Sequence, residues 1–392
     1  MIRMIEKPMT EILPDIFAAI NRPMARFLQP VKSATIWLSC LLIVPAAGSA
    51  GALPPLPALN IEIGETSVSG LSSGGFMAVQ FQVAHSSIVK GAGIIAAGPY
   101  FCARNDVVTA TTKCSCTLDP LHQLCAVTPT SADVPSLVKL IGRMARDKLI
   151  DDPKNIARQR VFTFSGGKDQ IVPSPVVAQL NALFSSLGVP SQNLSAASLA
   201  DAGHGMPTET YGQDCAVTGE PYLNKCHYDA AGKILNWIYG PLKPARSGAP
   251  QGHFIAFDQK PYLPKRFAFQ WGSGLDSSGW LYVPAACASG AKCRLHIALH
   301  GCKQGQSYAL LQPPDNGGTT FATSFVSHAG YDAWADSNDL VVLFPQAVSI
   351  PFTNPNGCWD WWGYTDAHYA DQRGVQISAL RAMVDRLAAG AH

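Results

Sequence analysis

Charge is what this sequence has least of. Asp, Glu, Lys and Arg make up 14% of its 392 residues, against roughly a quarter in an average soluble protein. The formal net charge is +2. Residues 1–50 carry five basic and three acidic side chains, so the remainder is about neutral. No basic block exists to neutralise phosphates, which excludes nucleic acid and anionic lipid as partners drawn in by a field. Long apolar runs are also missing. The nearest approach, Ala34–Ala47, contains Pro45 and falls short of the roughly 18 residues that a membrane span needs. Zinc-type cysteine spacing is missing too, because Cys114 and Cys116 are separated by a single residue.

What is there begins with a leader. Lys32, the apolar run after it and the small residues Gly48-Ser-Ala-Gly-Ala52 have the layout of a secretory signal, with cleavage expected near Ala50 or Ala52 and translation starting at Met1 or Met24. The expected organisation is a leader over residues 1–50 and one catalytic domain over 51–392. Of eleven cysteines, Cys40 lies in the leader. Ten in an exported chain read as five disulfides. Short separations suggest Cys287 with Cys293 and Cys215 with Cys226, whereas Cys102, Cys114, Cys116 and Cys125 crowd one stretch and leave their pairing open.

The chain is organised around Gly70, Leu71, Ser72, Ser73 and Gly74, a G-x-S-x-G motif. A strand-like run, Ile61–Ser69, precedes it and a helical pattern, Gly75–Ala84, follows. A strand that turns sharply into a helix exposes one serine hydroxyl, and glycines on either side avoid collision. Ser72 is therefore the candidate nucleophile, and the Ser73 N–H is placed to receive an oxyanion. Strand and helix patterns then alternate: strands over Ile88–Ala97, Arg160–Phe164 and Asn193–Leu199, helices over Val134–Lys148 and Val176–Leu187. This alternation predicts an α/β fold with a mostly parallel sheet. Asp169 and His204 follow the second and third of these strands, where such sheets carry their active residues, in the chain order Ser, Asp, His. Asp169 would orient the His204 imidazole, and His204 would take the proton of Ser72.

From Pro241 to Pro264 the chain reads as a connection with room for one strand. A hairpin is expected from Phe267–Trp271 and Gly279–Val283. The strand Arg294–Leu299 ends in His300-Gly301, a helix is expected around Phe321–Asp336, and the strand Leu340–Pro345 leads to the aromatic loop Gly357–Tyr364 and a helix over Gly374–Leu387. In α/β-hydrolases the hairpin and the His-Gly strand come before the serine elbow; here they come more than two hundred residues after it. A circular permutation accounts for this order, with the last helix leading in space to Ile61 and both halves sharing one sheet and one site.

On Gly-Leu-Ser-Ser-Gly-Gly at 70–75, Gly-Gly-Lys-Asp at 166–169, Ala-Gly-His-Gly-Met-Pro at 202–207, Leu-His-Gly-Cys at 299–302 and Cys-Trp-Asp-Trp-Trp-Gly-Tyr at 358–364, the chain resembles the circularly permuted extracellular poly(3-hydroxybutyrate) depolymerases, secreted serine esterases of the α/β-hydrolase fold. The resemblance implies Ser72, Asp169 and His204 as the triad and the backbone N–H groups of Ser73 and Cys302 as the oxyanion hole. It also implies a Cys302–Cys358 disulfide and polymer contact through the loop that holds Trp359, Trp361, Trp362 and Tyr364. The activity expected is hydrolysis of a short-chain polyhydroxyalkanoate, or of its ester oligomers, by a monomer needing no metal or organic cofactor. With no all-β module legible after residue 387, adsorption to polymer would fall to the catalytic domain itself. Two other readings are a feruloyl or acetyl esterase acting on plant polysaccharide and, from another class, a polymer-binding protein on a dead hydrolase scaffold.

Overall fold

The strands form where β-branched, aromatic and small residues run together, and the central ones are buried on both faces, as parallel strands covered by helices must be. The computed structural model describes residues 53–265, 272–308 and 323–390, and Ala52–His392 forms one compact unit. Its strands are β1 (Thr66–Leu71), β2 (Val89–Ile95), β3 (Arg160–Gly166), β4 (Leu194–Leu199), β5 (Met206–Thr208), β6 (Gln213–Asp214), β7 (Leu223–Lys225), β8 (His253–Asp258), β9 (Ser278–Val283), β10 (Arg294–Leu299) and β11 (Leu340–Phe344). The helices are α1 (Ser73–Ala84), α2 (Val107–Lys113), α3 (Val134–Arg146), α4 (Ser174–Ser186), α5 (Ala230–Tyr239), α6 (Ala285–Ala288), α7 (Ser324–His328), α8 (Tyr331–Ser337) and α9 (Val375–Ala388).

Eight strands form one sheet in the order β4-β3-β2-β1-β10-β11-β9-β8, and β5, β7 and β6 form a small second sheet. From β4 across to β11 every pairing is parallel. Strands from the two ends of the chain meet at β1 and β10, in a register that sets Ser67 opposite His296 and Gly70 opposite Leu299. Close to this seam the last helix meets the first described residues: Leu59 N–H donates to Leu387 O at 2.8 Å and Arg386 Nε to Leu56 O at 2.8 Å. One core cluster packs α1 and α9 on one face of the sheet, and another packs α5 and α8 on the other. Helix α1 is buried on every side, as a helix apolar all round must be.

Several expectations shift. β1 starts at Thr66 rather than Ile61, because Ile63–Glu65 closes into a 3-10 turn. β9 pairs antiparallel with β8 on one side and with β11 on the other, so the one strand of the Pro241–Pro264 connection is its partner. The expected first arm, 267–271, lies outside the described residues, as does the leader. The helix expected around Phe321–Asp336 is two short helices, α7 and α8, broken at Gly330, whose φ of 91° no helix accepts. Five disulfides form: Cys102–Cys114, Cys116–Cys125, Cys215–Cys226, Cys287–Cys293 and Cys302–Cys358.

The seam between β1 and β10 is polar inside. His296 is fully buried, with the hydroxyl of Ser67 at 2.6 Å from Nδ1 and that of Ser69 at 2.7 Å from Nε2. Tyr239 and Tyr331 extend this chain of hydroxyls. Burial lowers the pKa of His296 to about 3 and that of His300 to about 4. Both stay neutral inside the fold while an unfolded histidine charges below about pH 6.5. Their contribution to stability is therefore full above that pH and is lost as pH falls towards 4. At pH 5 each should cost about 2 kcal/mol. Urea unfolding at pH 7 and pH 5 measures this; a flat profile contradicts it.

Candidate active site

β1 delivers its last residue into a turn so tight that Ser72 takes φ 55°, ψ −120°, a conformation that L-residues avoid unless their surroundings impose it. Here Ser72 N–H donates to Ile95 O at 2.9 Å, and Ser72 O accepts from Phe76 N–H at 2.9 Å. The flanking glycines are steric necessities. A Cβ at Gly70 would lie 2.2 Å from Gly74 O, and one at Gly74 would lie 2.3 Å from His300 O. The elbow is thus pressed against the end of β10, which brings Ser73, the first residue of α1, towards the loop at Gly301 and Cys302.

Asp169 lies in the turn after β3. Its Oδ1 accepts from the N–H groups of Ile171 and Val172 at 2.9 and 2.8 Å, and its Oδ2 meets His204 Nδ1 at 2.8 Å. Both side chains are buried, Asp169 more deeply. The two loops are stitched together by Gly167 N–H to Leu199 O and Lys168 N–H to Ala202 O. His204 N–H donates to Thr218 Oγ1 at 2.9 Å. A carboxylate holding Nδ1–H leaves Nε2 as the acceptor. Ser72 and His204 line the same cavity of about 400 Å³, together with Phe76, Gly301, Cys302 and Trp361. Asp169 sits behind the histidine and forms no part of the wall.

The amides of Ser73 and Cys302 donate to no group among the described residues. The loop around Cys302 is nevertheless rigid. His300 donates from Nδ1 to Gly301 O at 2.7 Å and accepts Ala347 N–H at Nε2, 3.0 Å away, a pattern that requires the neutral ring. Gly301 N–H donates to Gln304 Oε1, Lys303 N–H donates to Asn356 O, and the Cys302–Cys358 disulfide joins the loop to the aromatic segment.

The aromatic loop divides its side chains. The Asp360 carboxylate accepts N–H groups from Gly363, Tyr364 and Thr365 and curls the segment back on itself. Trp361 stacks on Phe76 with centroids 4.1 Å apart, Trp362 packs edge-on against Trp361, and both line the cavity. Trp359 and Tyr364, also expected in substrate contact, do not line it. Trp359 is fully buried beside the His300 ring. Tyr364 faces inward and donates its hydroxyl to Cys358 O at 2.8 Å. Another part of the lining comes from the stretch after Cys102, with Val107, Thr117, Pro120 and His122. Sequence patterns assigned no site role to these residues; their one signal was the density of cysteines around them.

A mostly parallel sheet with a serine elbow after its central strand β1 and a buried Asp–His pair on the loops after β3 and β4 is the architecture of the α/β-hydrolases. No protein-family model matches the chain. It is 34% identical to a polyhydroxybutyrate depolymerase of Talaromyces funiculosus over 90% of this chain and 97% of that one. It is 38% identical to a poly(3-hydroxybutyrate) depolymerase of Delftia acidovorans over 88% of this chain, although it spans only 63% of that relative's length. Among solved structures it is similar to a PHB depolymerase from Penicillium funiculosum, with a TM-score of 0.73, and to a serine-to-alanine PHB depolymerase complexed with an R3HB trimer, with a TM-score of 0.72. Each is 32% identical, and each match covers 86% of this chain and all of the other. The chain belongs to the polyhydroxybutyrate depolymerase family.

Proposed function

We propose that this chain is a secreted serine esterase that hydrolyses poly(3-hydroxybutyrate), or related short-chain polyhydroxyalkanoates and their oligomers. The observation that carries the reading is the Asp169–His204 pair opening into one apolar-walled cavity with the elbow serine, in a member of this family. Ser72 Oγ attacks the ester carbonyl carbon while His204 Nε2 takes its proton, and the N–H groups of Ser73 and Cys302 hold the oxyanion. His204 then gives that proton to the departing alcohol oxygen as the ester C–O bond breaks, leaving an acyl-Ser72. Water repeats the attack with His204 as base and releases the acid. The five disulfides support export after cleavage of the leader. The contacts of α9 with residues 56–59 support the permuted chain order.

An insoluble, uncharged polymer is held by apolar surface. Val107, Val108, Leu118, Leu121 and Leu124 are exposed on the disulfide-braced wall, and Phe352 is fully exposed beside Thr353 of the cavity. We assign adsorption to this rim. Changing Leu121 and Phe352 together to serine should weaken binding to a polyhydroxybutyrate film about tenfold, since adsorption buries only part of each side chain and about 0.7 kcal/mol lost at each, against roughly 2 kcal/mol on full burial, gives that factor. Hydrolysis of a soluble ester should fall less than twofold. Equal losses in both assays would sink the assignment. Release of 3-hydroxybutyrate acids from film by the wild type, measured against release of ferulate from a feruloylated sugar, tests the substrate class.

A further inference from the structure

Tyr222 is held next to His204 by more than packing. It is an aromatic residue at φ 55°, a backbone state that bulky side chains occupy only when their surroundings impose it. Its N–H donates to Gly219 O at 2.7 Å, and its carbonyl accepts Met206 N–H at 2.8 Å and Gln304 Nε2 at 3.2 Å. The same Gln304 Nε2 donates to Pro221 O at 2.8 Å, while its Oε1 takes the N–H of Gly301 at 2.6 Å. One buried amide thus couples the Tyr222 segment to the residue before Cys302.

The Tyr222 ring lines the cavity and stands edge-on to the His204 ring, with centroids 6.2 Å apart. Its hydroxyl makes no hydrogen bond among the described residues. Burial pushes its pKa up to about 12, so it remains a donor at any working pH.

We propose that the Tyr222 hydroxyl is a specificity-determining donor for the leaving unit of the substrate, hydrogen-bonding the carbonyl that this unit carries two carbons from its departing oxygen. The inference rests on the esterase reading above. In that mechanism His204 returns its proton to the departing oxygen, so a group flanking His204 flanks the leaving alcohol. In a 3-hydroxyalkanoate chain that alcohol is itself a hydroxy acid, with an ester or carboxylate carbonyl within reach of a fixed donor. In a simple alkyl ester it carries nothing to bind. A ring placed there for shape alone would need no hydroxyl, whereas a site built to bond a polar group discriminates against analogues lacking it.

The experiment compares wild type with Tyr222→Phe on two soluble substrates sharing the 3-hydroxybutyryl acyl part: the 3-hydroxybutyrate dimer methyl ester and ethyl 3-hydroxybutyrate. One neutral hydrogen bond corresponds to roughly a three- to tenfold effect. The ratio of kcat/KM for dimer over ethyl ester should fall by that factor in Tyr222→Phe. An unchanged ratio, whether both rates hold or both drop together, overturns the proposal. Failure of the polyester reading would look different: the wild type itself would cleave the ethyl ester at least as well as the dimer.

Discussion

Replacing Ser72 with alanine should lower ester hydrolysis on the order of a million-fold, the scale on which serine hydrolases lose activity when the nucleophile is removed. The substitution is clean here. Alanine meets the same backbone demand at φ 55° as serine does, and the bonds that hold the elbow, to Ile95 O and from Phe76 N–H, are main-chain bonds. What disappears is the hydroxyl to which the proposed mechanism gives the acyl intermediate. The amides of Ser73 and Cys302 and the aromatic wall remain, so Ser72→Ala should still adsorb to polymer film and melt within a few degrees of the wild type. Clearing of a polyhydroxybutyrate suspension reads the effect. Residual activity above about 1% of wild type would assign the chemistry to another group.

Asp169→Asn should cost about four orders of magnitude at neutral pH while leaving the shape of the site intact, the size of effect seen when a triad aspartate becomes its amide. The reason lies in how both carboxylate oxygens are used. Oδ1 accepts two backbone N–H groups, from Ile171 and Val172, and can only be replaced by another acceptor. The asparagine amide must therefore turn its NH2 towards His204 Nδ1, where the carboxylate was an acceptor. Nδ1 would then have to accept, the ring proton would move to Nε2, and Nε2 could no longer take the proton of Ser72. Burst labelling of Ser72 by an organophosphate should slow in parallel with turnover. A loss under tenfold would mean that the bond at 2.8 Å orients the ring without setting its tautomer.

Much of this centre was legible in sequence because its parts are local. The serine elbow is a matter of short-range sterics, and Gly70 and Gly74 announce it: the Cβ each lacks would collide with backbone. Asp169 and His204 were found by position, at successive strand ends. The disulfides with short separations, Cys215–Cys226 and Cys287–Cys293, were found by distance along the chain. Where several partners were equally near, as among Cys102, Cys114, Cys116 and Cys125, nothing in the letters could choose. The partner of β9 was missed for a related reason: the stretch just before it alternates as a hairpin arm should, and pairing of β8 with β9 depends on which edge the sheet leaves open.

The sequence by itself therefore marked Ser72 as the candidate nucleophile, set its order relative to Asp169 and His204, and put two chain halves in one α/β sheet, since backbone sterics and hydrophobic period act over a few residues. Only the tertiary structure decided which aromatics face the cavity. Trp359 and Trp361 are two residues apart and chemically identical, but Asp360 folds the loop so that one is sealed against His300 and the other stacks on Phe76 in the cavity wall. The same holds for Tyr222 and the wall after Cys102. Their roles come from contacts between stretches far apart in the chain, which no local pattern encodes.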